Sequence, residues 1–330
     1  MIELNYGIRF GDDLIIDPTR KQQTAVVSHA HSDHLRRHNR ILATTPTLEL
    51  ARLYTSEFES IPLEYGKTYR FGKCKIRPEP AGHILGSAQY IIDYAGYRIV
   101  YTGDFKLSPN DTCAQARIHQ CDILFLDTTF GRKQFNFPEY NYLKQRLAEF
   151  VDSCLYSGYL PVIYAYNLGK AQEVMKILGY SGFSTYVTDK AYAYAEIHRR
   201  FGVDITNFYS LNDTPPEDGA IILPPPYRYT KEIFPDRHKR TCFVSGWAIN
   251  KKHCRIWWAD EMIPLSDHAS YDDLIRYVET AKPKKIYCLF GFKDIVDDLR
   301  YRGYNAVKAT LANRQGIAKN ILAELDLFGT

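Results

Sequence analysis

Ser28-His29-Ala30-His31-Ser32-Asp33-His34 follows directly on the apolar run ThrAlaValVal at 24–27, and its reading decides the fold. Three imidazoles and a carboxylate fall within six residues. That mixture suits zinc, which takes nitrogen and oxygen ligands at about 2.0–2.2 Å. From an extended turn His29 and His31 can reach one ion, while Asp33 and His34 point past it to a second. The competing reading is a solvated polar loop, and it is disfavoured because histidine clusters this dense rarely arise by accident.

Further donors stand at the ends of later strand-like runs. AlaGlyHisIleLeuGlySer (81–87) sets His83 between glycines, and TyrThrGlyAsp (101–104) ends a β-rich run on Asp104. Taken singly, His83 reads as a structural histidine and Asp104 as a turn residue. Taken in this order with the 28–34 segment, they resemble the ligand pattern of the metallo-β-lactamase superfamily. The resemblance implies that His29, His31 and His83 hold one zinc and that Asp104 bridges. Asp33 and His34 would then hold a second ion when one is present. The cofactor expected is zinc, one or two ions, with manganese an option in the oxygen-rich second position.

Other segments resemble the β-CASP nuclease branch of that superfamily. CysAspIleLeuPheLeuAspThrThrPheGly (121–131) resembles its acidic-strand motif, with Asp127 as the acid. ProLeuSerAspHisAlaSer (264–270) resembles its later histidine motif, with His268 as the histidine. AsnLeuGlyLysAlaGln (167–172) and ValSerGlyTrp (244–247) are similar to segments of the DNA exonucleases encoded beside ATP-dependent ligases and helicases, and of interstrand-crosslink-repair nucleases. The resemblance implies catalytic roles for Asp33, His268 and Asp127. Asp33 would orient the attacking water, and His268 would protonate the leaving group or bind the scissile phosphate while Asp127 orients its ring. Substrate contacts are expected at Lys170, Ser245, Gly246 and Trp247: an ammonium at a helix start for phosphate, and an indole for stacking on a base. RNA-processing members carry a histidine before the glycine at the end of the last core strand, whereas this chain has Phe290 before Gly291. That departure favours DNA over RNA as the partner and weakens the second metal position.

Composition agrees with an ordinary soluble globular protein: 330 residues, 45% hydrophobic and 24% charged, with no apolar run long enough to span a bilayer. No basic segment followed by an apolar run opens the sequence, so a cytoplasmic protein is expected. The seven scattered cysteines contain no CxxC and read as reduced, buried side chains. A net charge of +4 permits a polyanionic partner without arguing for one. The basic stretches at 237–240 and 251–253 read as solvated faces, or as a track for a nucleic-acid backbone if they rim a cleft. His38, His119 and His198 read as structural.

Strands are expected at 24–27, 40–42, 90–92, 99–101 and 123–126, and helices at 47–55 and 139–157. Beyond 160, strands alternate with helices, which predicts layered α/β architecture. The resemblance implies an αββα metallo-β-lactamase sandwich made of residues 1–133 and 251–330, with an α/β β-CASP cap inserted at 134–250. The activity expected is a metal-dependent nuclease, a DNA exonuclease acting in repair, with a ligase or helicase as partner by family analogy. An RNA-processing nuclease of the same branch is the alternative, and a non-catalytic nucleic-acid-binding protein on the same scaffold comes third.

Overall fold

Alternation within short strands dictates how the layers stack. The computed structural model of the chain describes residues 1–55, 57–214, 216, 218–225, 230, 232–249 and 259–311, so the basic stretch at 251–253 lies outside the described residues. Strands β1 (Ile2–Leu4), β2 (Ile8–Phe10), β3 (Leu14–Ile16), β4 (Thr24–Val26), β5 (Arg40–Thr44) and β6 (Glu59–Leu63) form one sheet in chain order. The first three run antiparallel, and β3 to β6 run parallel. A second sheet contains β7 (Tyr69–Phe71), β8 (Cys74–Pro80), β9 (Ala88–Tyr94), β10 (Tyr97–Tyr101) and β11 (Ile123–Asp127), completed by β18 (Lys285–Leu289) and β19 (Ala306–Lys308). Its order is β19-β18-β11-β10-β9-β8-β7.

Because successive side chains leave a strand on opposite faces, each strand serves two layers. Val26 and Leu42 pack between the sheets with Tyr90, Tyr101, Ile123 and Phe125. Their neighbours Ala25, Val27, Ile41 and Ala43 face the other way, under Leu48 and Ala51 of helix α1 (Thr45–Arg52). On the second sheet Leu124, Leu126, Ile286 and Cys288 turn outward to meet Leu274 and Val278 of α5 (Tyr271–Ala281) and Ile295 and Leu299 of α6 (Asp294–Tyr301). Helix, sheet, sheet, helix is the αββα sandwich. Each fully buried aliphatic or aromatic side chain contributes about 1.5–3 kcal/mol to it.

Residues 134–267, with 108–113, form a second compact unit. Its sheet is wholly parallel, in the order β14-β13-β15-β12-β16-β17. The strands are β12 (Leu160–Tyr164), β13 (Thr185–Val187), β14 (Phe208–Ser210), β15 (Ala220–Leu223), β16 (Lys239–Val244) and β17 (Glu261–Ile263). Helices α2 (Tyr140–Tyr156), α3 (Lys170–Tyr180) and α4 (Asp189–Arg200) bury Leu147, Val174 and Ala195 against one face. The boundary expected at 250 therefore moves to 267. The reason is that β17 pairs with β16, Cys242 opposite Glu261, and extends this sheet rather than the sandwich. Residues 108–113 join the same unit through Asp111, whose carboxylate meets Lys144 Nζ at 3.1 Å and whose N–H donates to Tyr140 Oη. Among the described residues no helix is long and apolar enough to cross a membrane.

His198 in α4 is buried, and its Nδ1 bonds the Tyr194 carbonyl at 2.8 Å. Burial pushes its pKa down to about 4, so the folded chain keeps it neutral. The unfolded chain binds that proton near pH 6.5. Stability is thus intact above pH 6.5 and falls as pH drops towards 4, by roughly 3 kcal/mol at most. His198→Gln should flatten that part of the urea-denaturation profile; an unchanged slope would show that the fall arises elsewhere.

Candidate metal centre

The carboxyl ends of parallel strands gather the donors. In the first sheet β3 and β4 run parallel, so Asp17 and the 28–34 segment leave the same edge. In the second sheet β10, β11 and β18 run parallel and deliver Asp104, Asp127 and Phe290 to one edge. β9 is antiparallel to both β10 and β8, so β8 also ends there, just before His83. Cross-links hold the two edges together: Ala88 N–H donates to Ser28 O at 2.9 Å, and Tyr90 O–H to Val27 O at 2.8 Å. The His83 loop is fixed by Ser87 Oγ, which accepts from the N–H groups of His83 and Ile84, and by Thr44 Oγ1, which donates to Gly86 O. Gly82 has φ +74°, and a Cβ there would stand 2.3 Å from Lys106 O, so the approach to His83 requires glycine.

Four donors converge. One ligand atom from each of His29, His31, His83 and Asp104 lies within 4.8 Å of all the others. His83 Nε2 is 3.0 Å from His31 Nδ1 and 3.8 Å from Asp104 Oδ2, and His29 Nε2 is 3.5 Å from that same oxygen. Two nitrogens on one tetrahedral ion bonded at ~2.05 Å stand about 3.3 Å apart, which these spacings approach. His29 Nδ1 lies 3.0 Å from Ser28 Oγ, which turns Nε2 inward. That Nε2 is buried and has no hydrogen-bond partner among the described residues. Leaving such a group unsatisfied costs about 1–3 kcal/mol, and a metal–nitrogen bond removes the cost. Burial, with His34 beside it, also holds the His29 pKa well below its ordinary value, so its lone pair is available. The residues fit a divalent cation.

His34 and Asp33 stand at the next position out. His34 Nε2 is 3.4 Å from Asp104 Oδ1 and 3.9 Å from Asp33 Oδ2, and the Asp33 side chain is 75% exposed. Burial opposes charge on His34, but Asp104 and Asp17 outweigh it and raise its pKa. Burial likewise opposes ionisation of Asp104, yet His34 and His268 hold its carboxyl well below the usual range. Phe290 packs on the His34 ring at 5.5 Å between centroids.

Sequence reasoning missed Asp17, the fixed point beneath these side chains. Its buried carboxylate accepts from Ser28 N–H (2.7 Å), Ser28 Oγ (2.5 Å), His34 Nδ1 (2.7 Å) and Tyr101 Oη (2.6 Å). By holding His34 Nδ1 it sends Nε2 towards Asp104. The available signal was an acid closing an apolar run, IleIleAspPro at 15–18.

Asp127 and His268 form the adjoining pair. His268 Nδ1 is 2.9 Å from Asp127 Oδ2, and its Nε2 is 4.0 Å from Asp104 Oδ2. Asp127 Oδ1 accepts from Thr129 N–H and Oγ1, which leaves Oδ2 to orient the imidazole.

With this geometry in view, residues 15–141 match a model described as the β-lactamase superfamily domain. Residues 15–141 thus carry a β-lactamase superfamily domain. A solved structure of a protein of unknown function from Enterococcus faecalis shares the fold, with TM-score 0.59 over 95% of this chain and 84% of that one, at 12% identity. A "Probable DNA ligase" of Opitutus terrae is 31% identical over 88% of this chain. An "RNase J-like protein" of Methanocaldococcus jannaschii and an "Endoribonuclease ysh-1" of Neurospora crassa are each 28% identical, over 51% and 42% of this chain. The matched stretches span 29%, 44% and 17% of those three proteins, well under two thirds of their lengths. These likenesses are consistent with the β-CASP branch of the superfamily.

The second unit carries the remaining residues singled out from sequence, and one of them needs correction. Lys170 opens α3, but its side chain is only 1% exposed and its Nζ is 2.5 Å from Glu173 Oε2. Burial opposes its charge, yet Glu173 and Asp267 raise its pKa, so the ammonium serves an internal ion pair and not a surface phosphate. Removing it by Lys170→Ala should cost about 3–5 kcal/mol by stranding a buried carboxylate. Lys170→Met with Glu173→Leu should cost far less; equal denaturation midpoints for the two variants would contradict this. Ser245 and Gly246 are buried, with Ser245 Oγ accepting from Trp247 N–H, and the Trp247 ring meets Phe135 edge-on at 5.6 Å. The 237–240 segment leads into the amino end of β16, whereas Ser245–Trp247 follow its carboxyl end, so the two lie at opposite edges of that sheet.

Proposed function

We propose that the chain is a divalent-metal-dependent phosphodiesterase acting as a nuclease, with DNA preferred over RNA and exonucleolytic action in repair. The observation carrying this reading is the convergence of His29, His31, His83 and Asp104, with the Asp127–His268 pair beside Asp104. Zinc is the ion this nitrogen-rich donor set suits, held by His29, His31, His83 and Asp104. Asp33 and His34 would hold a second ion, zinc or manganese, alongside Asp104. A bound ion supplies Lewis acidity, lowering the pKa of water towards about 7 and offsetting charge on a phosphoryl oxygen. Asp33, exposed beside the ligands, orients the attacking water by hydrogen bonding. His268, its Nδ1 fixed by Asp127, directs Nε2 towards the reacting centre and donates a proton to the leaving alkoxide or binds the scissile phosphate.

The ligase-named relative, aligned over most of this chain, and the aromatic Phe290 beside His34 support DNA. The relatives named RNase J-like and endoribonuclease favour a second reading, RNA processing. End-labelled single-stranded DNA, duplex DNA and RNA compared side by side, with Asp33→Ala as the contamination control, separate the two. DNA should be degraded faster; RNA cleaved far faster than DNA would transfer the assignment to the second reading.

A further inference from the structure

Across residues 18–48 the only acid is Asp33, whereas Arg20, Lys21, Arg36, Arg37 and Arg40 are basic. Arg40 is neutralised by Glu59 at 2.7 Å. Among the described residues no ion pair joins Arg20, Lys21, Arg36 or Arg37 to a carboxylate, and Arg20, Lys21 and Arg37 are exposed. These cations lie on two segments laced side by side. Gln22 N–H donates to His38 Nδ1, Asn39 N–H to Gln22 O, and Arg40 N–H to Gln23 O. Arg36 fastens both segments to the metal loop: its Nε donates to Thr19 O at 3.3 Å and its guanidinium also donates to Ser32 O. Arg20 is held over the Tyr6 ring, 3.5 Å from its centroid. The same segments hold Asp17 and His34, which are bonded to one another at 2.7 Å.

We infer that Arg20, Lys21, Arg36 and Arg37 form a strip that binds the phosphodiester backbone of a nucleic-acid strand whose scissile bond lies at the metal centre. The inference rests on the nuclease reading and adds to it a backbone-tracking surface. Four uncompensated cations on a rigid double segment repel one another and gain by exchanging counterions for phosphates. The guanidiniums contact sugar-phosphate and not base edges, so the strip contributes affinity and register without sequence preference.

The test uses the metal-loaded full chain with Arg20, Lys21 and Arg37 all changed to alanine; Arg36 is kept because its bonds fasten the metal loop. KM is measured over a range of salt for DNA and RNA strands of about twenty nucleotides and for a dinucleotide. KM for the long strands should rise roughly tenfold or more, and the slope of log KM against log salt should fall by about 2, since each single-strand phosphate contact contributes about 0.7. The dinucleotide, which offers fewer phosphates to the strip, should show a smaller rise. The charge-conserving variant Arg20→Lys, Lys21→Arg, Arg37→Lys should restore both KM and slope, which separates lost charge from lost folding. If the wild-type chain cleaves the long strands and the alanine variant matches its KM and slope, the strip is overturned while the nuclease reading stands. If the wild-type chain cleaves neither DNA nor RNA, the nuclease reading falls and takes the strip with it.

Discussion

Replacing His268 with alanine should cut phosphodiester turnover by about 10²–10⁴-fold, the range for losing a positioned general acid, while the metal stays bound. The separation follows from geometry. His268 Nε2 stands 4.0 Å from Asp104 Oδ2, and its other nitrogen is engaged by Asp127. His29, His31, His83 and Asp104 surround one point without it. Folding should survive, because Asp127 keeps both bonds from Thr129. Turnover and metal content measured on the same preparation decide the matter. A variant that loses its metal would make His268 a ligand, and a variant with unimpaired turnover would remove it from the chemistry.

Asp17→Ala should damage stability and metal binding together. It strands four buried donors, on Ser28 (N–H and Oγ), His34 and Tyr101, and each buried group left without a partner costs about 1–3 kcal/mol. Relaxation and entering water reduce the sum, so a loss of several kcal/mol in urea denaturation is expected. Freed from Asp17, the His34 ring loses its orientation, and removal of such a supporting carboxylate typically lowers metal affinity about 10–100-fold. Asp17→Asn, which retains an acceptor, should fall between. A stable Asp17→Ala protein that binds metal like wild type would show that the ligand loop is held by other contacts.

Much of this architecture was legible because it is local. The helices and longer strands announced themselves through apolar spacing: the reading of 139–157 became Tyr140–Tyr156, and 47–55 became Thr45–Arg52. Three-residue strands such as Ile2–Leu4 and Leu14–Ile16 escaped, since so short a segment carries no periodicity and forms only by pairing with neighbours. The donors that the structure gathers, His29, His31, His83 and Asp104, were visible because donor residues recur where strand-like runs end. Asp17 was not, because an acid before proline is an ordinary turn signal until its four hydrogen bonds are seen. Lys170 misled for a related reason. Glycine-lysine at a helix start looks like a phosphate grip, and only the fold shows Glu173, one turn on, claiming the ammonium. The boundary at 267 was hidden because β17 joins its sheet through pairing with β16, a relation that lies across the chain.

The central claim is that four side chains distant in sequence meet on one divalent ion. Anomalous diffraction at the zinc edge from zinc-loaded crystals tests it directly. The expected result is a strong peak within bonding distance of His29 Nε2, His31 Nδ1, His83 Nε2 and an Asp104 oxygen. Fully loaded crystals with no peak among those four atoms would contradict it.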